Sequence, residues 1–239
     1  MKIGLIGYGK MGKTIEQIAI KRGHAIVARI DSKSTESDWD ELTSADVCIE
    51  FSRPEVALMN FKKCFERKIK VVTGTTGWYN SLEQIEQDCN QATGSFFWAS
   101  NFSIGVHLFW KVNETLAKLM NAHPEYKASI EEIHHTEKLD APSGTAITTA
   151  NQIIAHHEGY STWQLHGDAS SDDELEITAK REHDVKGTHI VSYESPIDRI
   201  QIVHEAKTRE GFALGAILAA EFLQDKVGVY TMSDLLNEH

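Results

Sequence analysis

Six residues constrain this chain more than any others: Gly7-Tyr8-Gly9-Lys10-Met11-Gly12, a G-x-G-x-x-G string. It follows an apolar run at residues 2–6, which reads as a buried strand. Met11, Ile15, Ile18 and Ala19 then recur at helical spacing until Gly23. Strand, glycine turn and helix in that order form a cradle for a dinucleotide pyrophosphate. The first glycine permits the tight turn, the second lets backbone approach the anion, and the third lets helix pack on strand. The helix N-terminus adds free N–H groups and the positive end of its dipole. Asp31 ends a second strand-like run at 25–30, where it can accept hydrogen bonds from an adenosine ribose. That favours NADH; Lys33, and Lys10 in the loop, leave room for the 2′-phosphate of NADPH.

The first hundred residues keep alternating. Strands are expected at 47–51, 70–73 and 95–99, with a polar surface loop at 32–44. Ser52 and Pro54 are expected to start one helix, and Ser81 with Gln84 to form a capping box before another. Strands separated by helices imply a parallel, doubly wound α/β sheet. Ligands then sit off the carboxyl ends of the strands. The loops Phe51-Ser52, Gly74-Thr75-Thr76 and Ala99-Ser100-Asn101-Phe102 are expected to gather there, around the nicotinamide half of a cofactor.

The second half changes rhythm. Helices are expected at 106–120 and 145–157 around a strand at 127–133. Residues 166–174 read as a mobile loop, and strands follow at 175–180, 189–194 and 199–206 without intervening helices. This is an α+β pattern with a mixed sheet. A helix at 212–223 is expected to pack back on the first domain. The expected division is a Rossmann-type domain from 1–104 with 209–239, and a smaller α+β domain at 105–208.

Composition narrows the partners. The 239 residues carry 35 acidic and 24 basic side chains, a net charge of −11, which disfavours nucleic acid. No apolar run reaches the length of about 18 residues needed to span a membrane, and glycines interrupt the N-terminus where a signal peptide is continuous. A cytoplasmic location is expected. Cys48, Cys64 and Cys89 lie far apart in apolar segments and read as buried free thiols.

The densest chemistry lies at 131–146, Glu-Glu-Ile-His-His-Thr-Glu-Lys-Leu-Asp-Ala-Pro-Ser-Gly-Thr-Ala. A histidine such as His134 can deliver a proton during hydride addition. Lys138 offers a fixed charge for a carboxylate or a second proton source. Ser143, Gly144 and Thr145, at a helix start, can hold another carboxylate. No metal is expected, because neighbouring histidines diverge on a strand and no zinc-type spacing follows. The pair His156-His157 reads as a solvated helix end. Other small-dicarboxylate dehydrogenases, or a non-catalytic dinucleotide sensor, share the glycine loop; the sensor would be expected to lose the acid and the lysine.

These residues carry a resemblance over nearly the whole chain. Its strings are the glycine loop, Phe51-Ser52-x-Pro54, Gly74-Thr75-Thr76-Gly77, and Asn101-Phe102-Ser103-Ile104-Gly105-Val106. The most specific is His134-His135-x-x-Lys138-x-Asp140-Ala141-Pro142-Ser143-Gly144-Thr145-Ala146. Gly187-Thr188-His189 and Arg209-x-x-Phe212-Ala213-x-Gly215-Ala216 follow. The sequence resembles the 4-hydroxy-tetrahydrodipicolinate reductases of lysine biosynthesis. The resemblance implies a Rossmann domain, a substrate domain that also builds a homotetramer, and NADH or NADPH as cofactor. It implies His134 as proton donor/acceptor and Lys138 as proton donor and substrate-orienting group. His135, Ser143, Gly144 and Thr145 would contact a substrate carboxylate. Gly7 to Gly12, Asp31, Ser32, Phe51, Gly74, Thr75, Thr76, Ala99, Ser100, Asn101 and Phe102 would contact cofactor. Ser32 stands where members that bind a 2′-phosphate often carry Arg, and the 32–44 segment is short for the family, which implies an open adenosine pocket.

Overall fold

The computed structural model describes residues 1–167, 171–208 and 210–237. The chain forms two compact units, one of Met1–Ser103 with Glu210–His239 and one of Ile104–Arg209.

In the first unit the expected strands form as β1 (Lys2–Ile6), β2 (Ala25–Ile30), β3 (Val47–Glu50), β4 (Val71–Thr73) and β5 (Ser95–Trp98). Between them run α1 (Lys10–Lys21), α2 (Glu36–Glu41), α3 (Pro54–Glu66) and α4 (Leu82–Gln91). Later in the chain, α5 (Ile104–Met120), β6 (Lys127–His134), α6 (Gly144–His156), β7 (Thr162–Leu165), β8 (Glu174–Arg181), β9 (Thr188–Glu194) and β10 (Arg199–Glu205) build the second unit. Then α7 (Glu210–Leu223), β11 (Gly228–Tyr230) and α8 (Met232–Asn237) return to the first.

The first sheet is ordered β11-β5-β4-β3-β1-β2, and every pairing in it is parallel. Its central strands β3 and β4 are buried along their whole length because helices cover both faces. As expected, α7 packs back on this unit, against α1, β3, β4 and β5. The close approach depends on Gly215, where an added Cβ would sit 1.8 Å from the Phe102 carbonyl oxygen. Arg22 at the end of α1 forks onto Glu221 of α7, with His24 on the same carboxylate.

Several local expectations are corrected. Residues 32–44 are not a plain loop: α2 and a one-turn 3-10 helix at Leu42–Ser44 occupy them. Trp39 and Leu42 are buried there, each removing enough apolar surface from water for roughly 2 kcal/mol. Thr35 and Asp38 cap this turn, Asp38 Oδ2 accepting from the Thr35 amide at 2.6 Å. Ser52 does not cap α3; Arg53 stands at its N-cap and the Ser52 hydroxyl turns to Glu50. Ser81 makes no side-chain capping bond to α4. β7, β11 and α8 are additional elements, too short for periodicity to reveal.

The second sheet is ordered β10-β9-β6-β8-β7, mixed as expected: β6 runs parallel to β8 and antiparallel to β9. α5 and α6 pack together, and Ile130, Ala150, Ile153, Ile177 and Val191 lie in the core beside them. His157 is not solvated, contrary to expectation; it is buried with its ring 5.0 Å from Tyr160 and 6.4 Å from Tyr193. The loop reading at 166–174 falls partly on 168–170, outside the described residues, as does Arg209 of the resemblance. The described flanks are a turn at His166-Gly167 and the start of β8.

Candidate active site

In the first unit the glycine loop has the geometry an anion cradle needs. Gly7 sits at φ +91°, and an added Cβ would fall 2.0 Å from the Phe51 carbonyl oxygen, so only glycine fits. At Gly12 a Cβ would meet the Gly7 oxygen at 2.4 Å, which is the helix–strand contact the motif predicts. Around Gly9 nothing lies within 4 Å of that position, so backbone there is open to a ligand. Lys10 and Met11 open α1, whose N-cap Gly9 makes no side-chain capping bond; the first amides remain available to an anion.

A cavity of about 680 Å³ opens beside this loop, lined by Gly7, Tyr8, Gly9, Asp31, Ser32 and Phe51 among others. Trp39 of the unforeseen α2 also lines it. The Lys33 amide donates to Asp31 Oδ1 at 2.8 Å and fixes the carboxylate at the cavity edge. Among the described residues no basic side chain pairs with Asp31. Arg29 is taken up by Glu16, which also accepts from the Tyr8 hydroxyl. These features fit a dinucleotide whose ribose faces Asp31.

The loops after β3, β4 and β5 do converge. The Ser52 amide donates to Thr75 Oγ1 at 2.8 Å. The Phe51 ring lies against Gly74, where a Cβ would meet it at 2.2 Å, and its centroid is 5.8 Å from that of Phe102. Asn101 Oδ1 accepts from the Ser103 amide at 2.8 Å, shaping the turn after Ala99 and Ser100. Thr76 is exposed in this loop. Beneath them lies a residue that sequence reading missed: Glu50, fully buried, accepting from Thr73 Oγ1 at 2.6 Å and from Asn60 Nδ2 at 3.3 Å. Its position at the end of an apolar strand was the available signal.

In the second unit, β6 alternates exposed or half-buried residues with buried ones, and Glu132 and His134 both fall in the buried set. His134 Nδ1 lies 3.2 Å from Glu132 Oε2, in ion-pair range though off the line of a hydrogen bond. Its Nε2 lies beside Gly187, where a Cβ would stand 3.2 Å away; Gly187 keeps that edge of the ring clear. His189 on β9 faces Glu132 in register, with its ring centroid 5.1 Å from that of His134. Burial brings the His189 imidazole down to about 3, so it is neutral at physiological pH. Burial by itself would push the Glu132 carboxyl up, yet His134 and Ser143 favour its charge and bring it down to about 2.

The other expected residues assemble around this pair. The Ser143 amide donates to both Glu132 oxygens at 3.1 Å, and Ser143 Oγ caps α6 by accepting from Ala146 N at 3.2 Å. Gly144 is exposed at the helix start and Thr145 is half-buried next to it. Lys138 Nζ donates to both Asp140 oxygens at 2.8 Å. Arg181 donates to the Lys138 carbonyl at 3.3 Å, the Asp140 carbonyl at 2.6 Å and Glu132 Oε1 at 3.3 Å, pinning the loop that carries Lys138. His135 follows His134 and is half-buried. Glu132, Arg181 and His189 were missed as site residues. Glu132, His134 and His189 offer ligand-type atoms within 4.8 Å of one another. The Arg181 guanidinium and the Ser143 amide already on that carboxylate oppose a second cation there.

The arrangement offers an imidazole backed by a carboxylate, a lysine, and the start of a helix capped by Ser143. It offers no activated thiol: Cys48, Cys64 and Cys89 are free and buried, and burial pushes the Cys89 thiol up to about 11. Two family models match, described as the N-terminus of dihydrodipicolinate reductase over residues 1–102 and its C-terminus over residues 105–236. A 4-hydroxy-tetrahydrodipicolinate reductase of Christiangramia forsetii is 48% identical over 238 residues, covering 100% of this chain and 98% of that one. One from Archaeoglobus fulgidus is 32% identical, covering 99% and 100%. The dipicolinate-bound dihydrodipicolinate reductase of Paenisporosarcina sp. TG-14 shares the fold, with a TM-score of 0.77 at 22% identity and 98% coverage of both chains. With both its halves matched and its full length aligned to such relatives, this chain belongs to the dihydrodipicolinate reductase family.

Proposed function

We propose that this chain is an NAD(P)H-dependent reductase that converts 4-hydroxy-tetrahydrodipicolinate to tetrahydrodipicolinate with loss of water, in the diaminopimelate route to lysine. The observation that carries the reading is the cluster of His134, Lys138 and the Ser143-Gly144-Thr145 helix start in one unit of a chain whose other unit bears the dinucleotide loop. Gly7 to Gly12 hold the pyrophosphate, Asp31 and Ser32 meet the adenosine ribose, and Phe51, Gly74 to Thr76 and Ala99 to Phe102 frame the nicotinamide. The chemistry supplied by a bound nicotinamide is a hydride, added at C4 of the conjugated imine that remains once water has left. His135, Ser143, Gly144 and Thr145 hold one substrate carboxylate through N–H and hydroxyl donors. Lys138 attracts a carboxylate and stabilises the negative charge that develops toward the ring nitrogen. His134 delivers the proton from Nε2. Calorimetric titration with dipicolinate, the ligand of the Paenisporosarcina enzyme, is expected to show saturable binding in the presence of NADH. Absence of binding would contradict a site built for a planar dicarboxylate.

NADH is the preferred cofactor in this reading, because a 2′-phosphate would meet the unpaired Asp31 carboxylate. A charged hydrogen bond to the ribose contributes about 1.5–3 kcal/mol. Asp31→Ala is therefore expected to raise the KM for NADH by about 10- to 150-fold while the KM for NADPH stays level or falls. An unchanged ratio would remove Asp31 from cofactor selection.

The enzyme is proposed to be a cytoplasmic homotetramer. In the second unit, Leu108 and Val112 on α5 and Ile200 and Val203 on edge strand β10 are exposed, although α5 and β10 pack together. Exposed apolar side chains on an edge strand and on the helix beside it favour burial against another copy. Light scattering is expected to give a tetramer mass for the wild type and a smaller species for Ile200→Glu/Val203→Glu. A tetramer that survives both substitutions would place the interface elsewhere. Among the described residues, no helix is long and apolar enough to cross a membrane.

A further inference from the structure

We infer that Glu132 is a positioning residue whose single carboxylate fixes the proton-bearing edge of His134, the loop of Lys138 and the start of α6. The inference rests on the reductase reading above and deepens it.

Glu132 occupies a strand position whose buried neighbours, Ala128 and Ile130, are apolar, and it is fully buried. A carboxylate placed there costs several kcal/mol unless its charge is used. Every oxygen is used. Oε1 accepts from Arg181 Nη2 at 3.3 Å, and the same guanidinium holds the Lys138 and Asp140 carbonyls. Both oxygens accept from the Ser143 amide, which anchors the N-cap residue of α6 and so the donors of Gly144 and Thr145. Oε2 faces the buried Nδ1 of His134 at 3.2 Å. A carboxylate on that side favours the tautomer with the proton on Nδ1, and Nε2 becomes the atom that gives and takes the catalytic proton. Gly187 keeps space beside that atom.

Asp140, the other carboxylate in this cluster, is exposed and its charge is matched by Lys138. The charged and titratable groups around His134 are Glu132 on its own strand, the adjacent His135, Arg181 opposite it on β8, His189 on β9, and Lys138 with Asp140 in the following loop; Glu182 beside Arg181 is exposed. His204 of β10 stands behind His189, ring centroids 6.3 Å apart. Removing the Glu132 charge takes away the buried carboxylate that faces His134 Nδ1, so the protonated ring loses support.

Glu132→Gln keeps the size and one acceptor for the Ser143 amide but removes the charge. The variant is expected to lose about 10- to 100-fold in kcat, with the dissociation constant for NADH unchanged. The alkaline limb of its kcat/KM profile, where His134 loses the proton it must donate, is expected to move down by about 1 pH unit or more. A purely structural role would lower thermal stability with the limb in place and kcat within about twofold, and that result overturns the inference. Nitrogen-15 NMR of the His134 ring in the wild-type protein provides the test that needs no variant to fold. The Nδ1–H tautomer is expected for the neutral ring, and the Nε2–H tautomer would overturn the assignment. A wild type without reductase activity would overturn the proposed function instead, and the tautomer measurement would still decide the role of Glu132.

Discussion

Replacing His134 with Gln is expected to lower kcat by about 100-fold or more while leaving the dissociation constant for NADH unchanged. The reason is positional. His134 ends β6 with one ring edge on Glu132 and the other beside Gly187, so it is oriented to move one proton at Nε2. Gln fills the same space but cannot shuttle a proton, and the neighbouring His189 does not replace it. His189 is held neutral by burial down to about 3 and points its Nε2 toward Ser143 Oγ at 3.3 Å. Steady-state kinetics with parallel NADH titration checks this, and a kcat within threefold of wild type would remove His134 as the acid.

Replacing Lys138 with Ala is expected to damage both substrate binding and turnover. The amine is partly exposed and rests on Asp140, an exposed carboxylate that an incoming substrate carboxylate can displace. Arg181 fixes the Lys138 backbone from below, so the flexible side chain swings from a fixed base. Truncating one partner of a desolvated charge pair costs at least about 2 kcal/mol, or roughly 30-fold in kcat/KM. The loss should appear in the KM for substrate and in kcat, with NADH affinity spared. Equal loss of NADH affinity would mean that Lys138 serves the cofactor.

Much of the fold and of the site is legible in the sequence. Residues 2–12 announce the first strand, turn and helix because the spacing of glycines has a steric cause that the backbone confirms at Gly7 and Gly12. The polar string from His134 to Thr145 was legible because such a density of chemistry has no use in a core. What stayed hidden was hidden for physical reasons. Glu132 and Glu50 look like ordinary strand acids until tertiary packing buries them. Arg181 and His189 reach the site only through pairing of β8 and β9 with β6, a long-range fact with no local signature. Two apolar residues, Trp39 and Leu42, were too few to mark α2 and its 3-10 turn in a polar stretch. Ser52 and Ser81 had capping chemistry, but Glu50 competes for one and the other makes no capping bond.

Reductase activity is measured by following NADH absorbance while substrate is generated in place from pyruvate and aspartate semialdehyde by the preceding synthase. The expected result is oxidation that requires both precursors, the synthase and this protein, and that falls to near background with His134→Gln and Lys138→Ala. Tight NADH binding without oxidation of NADH or NADPH under these conditions would contradict it.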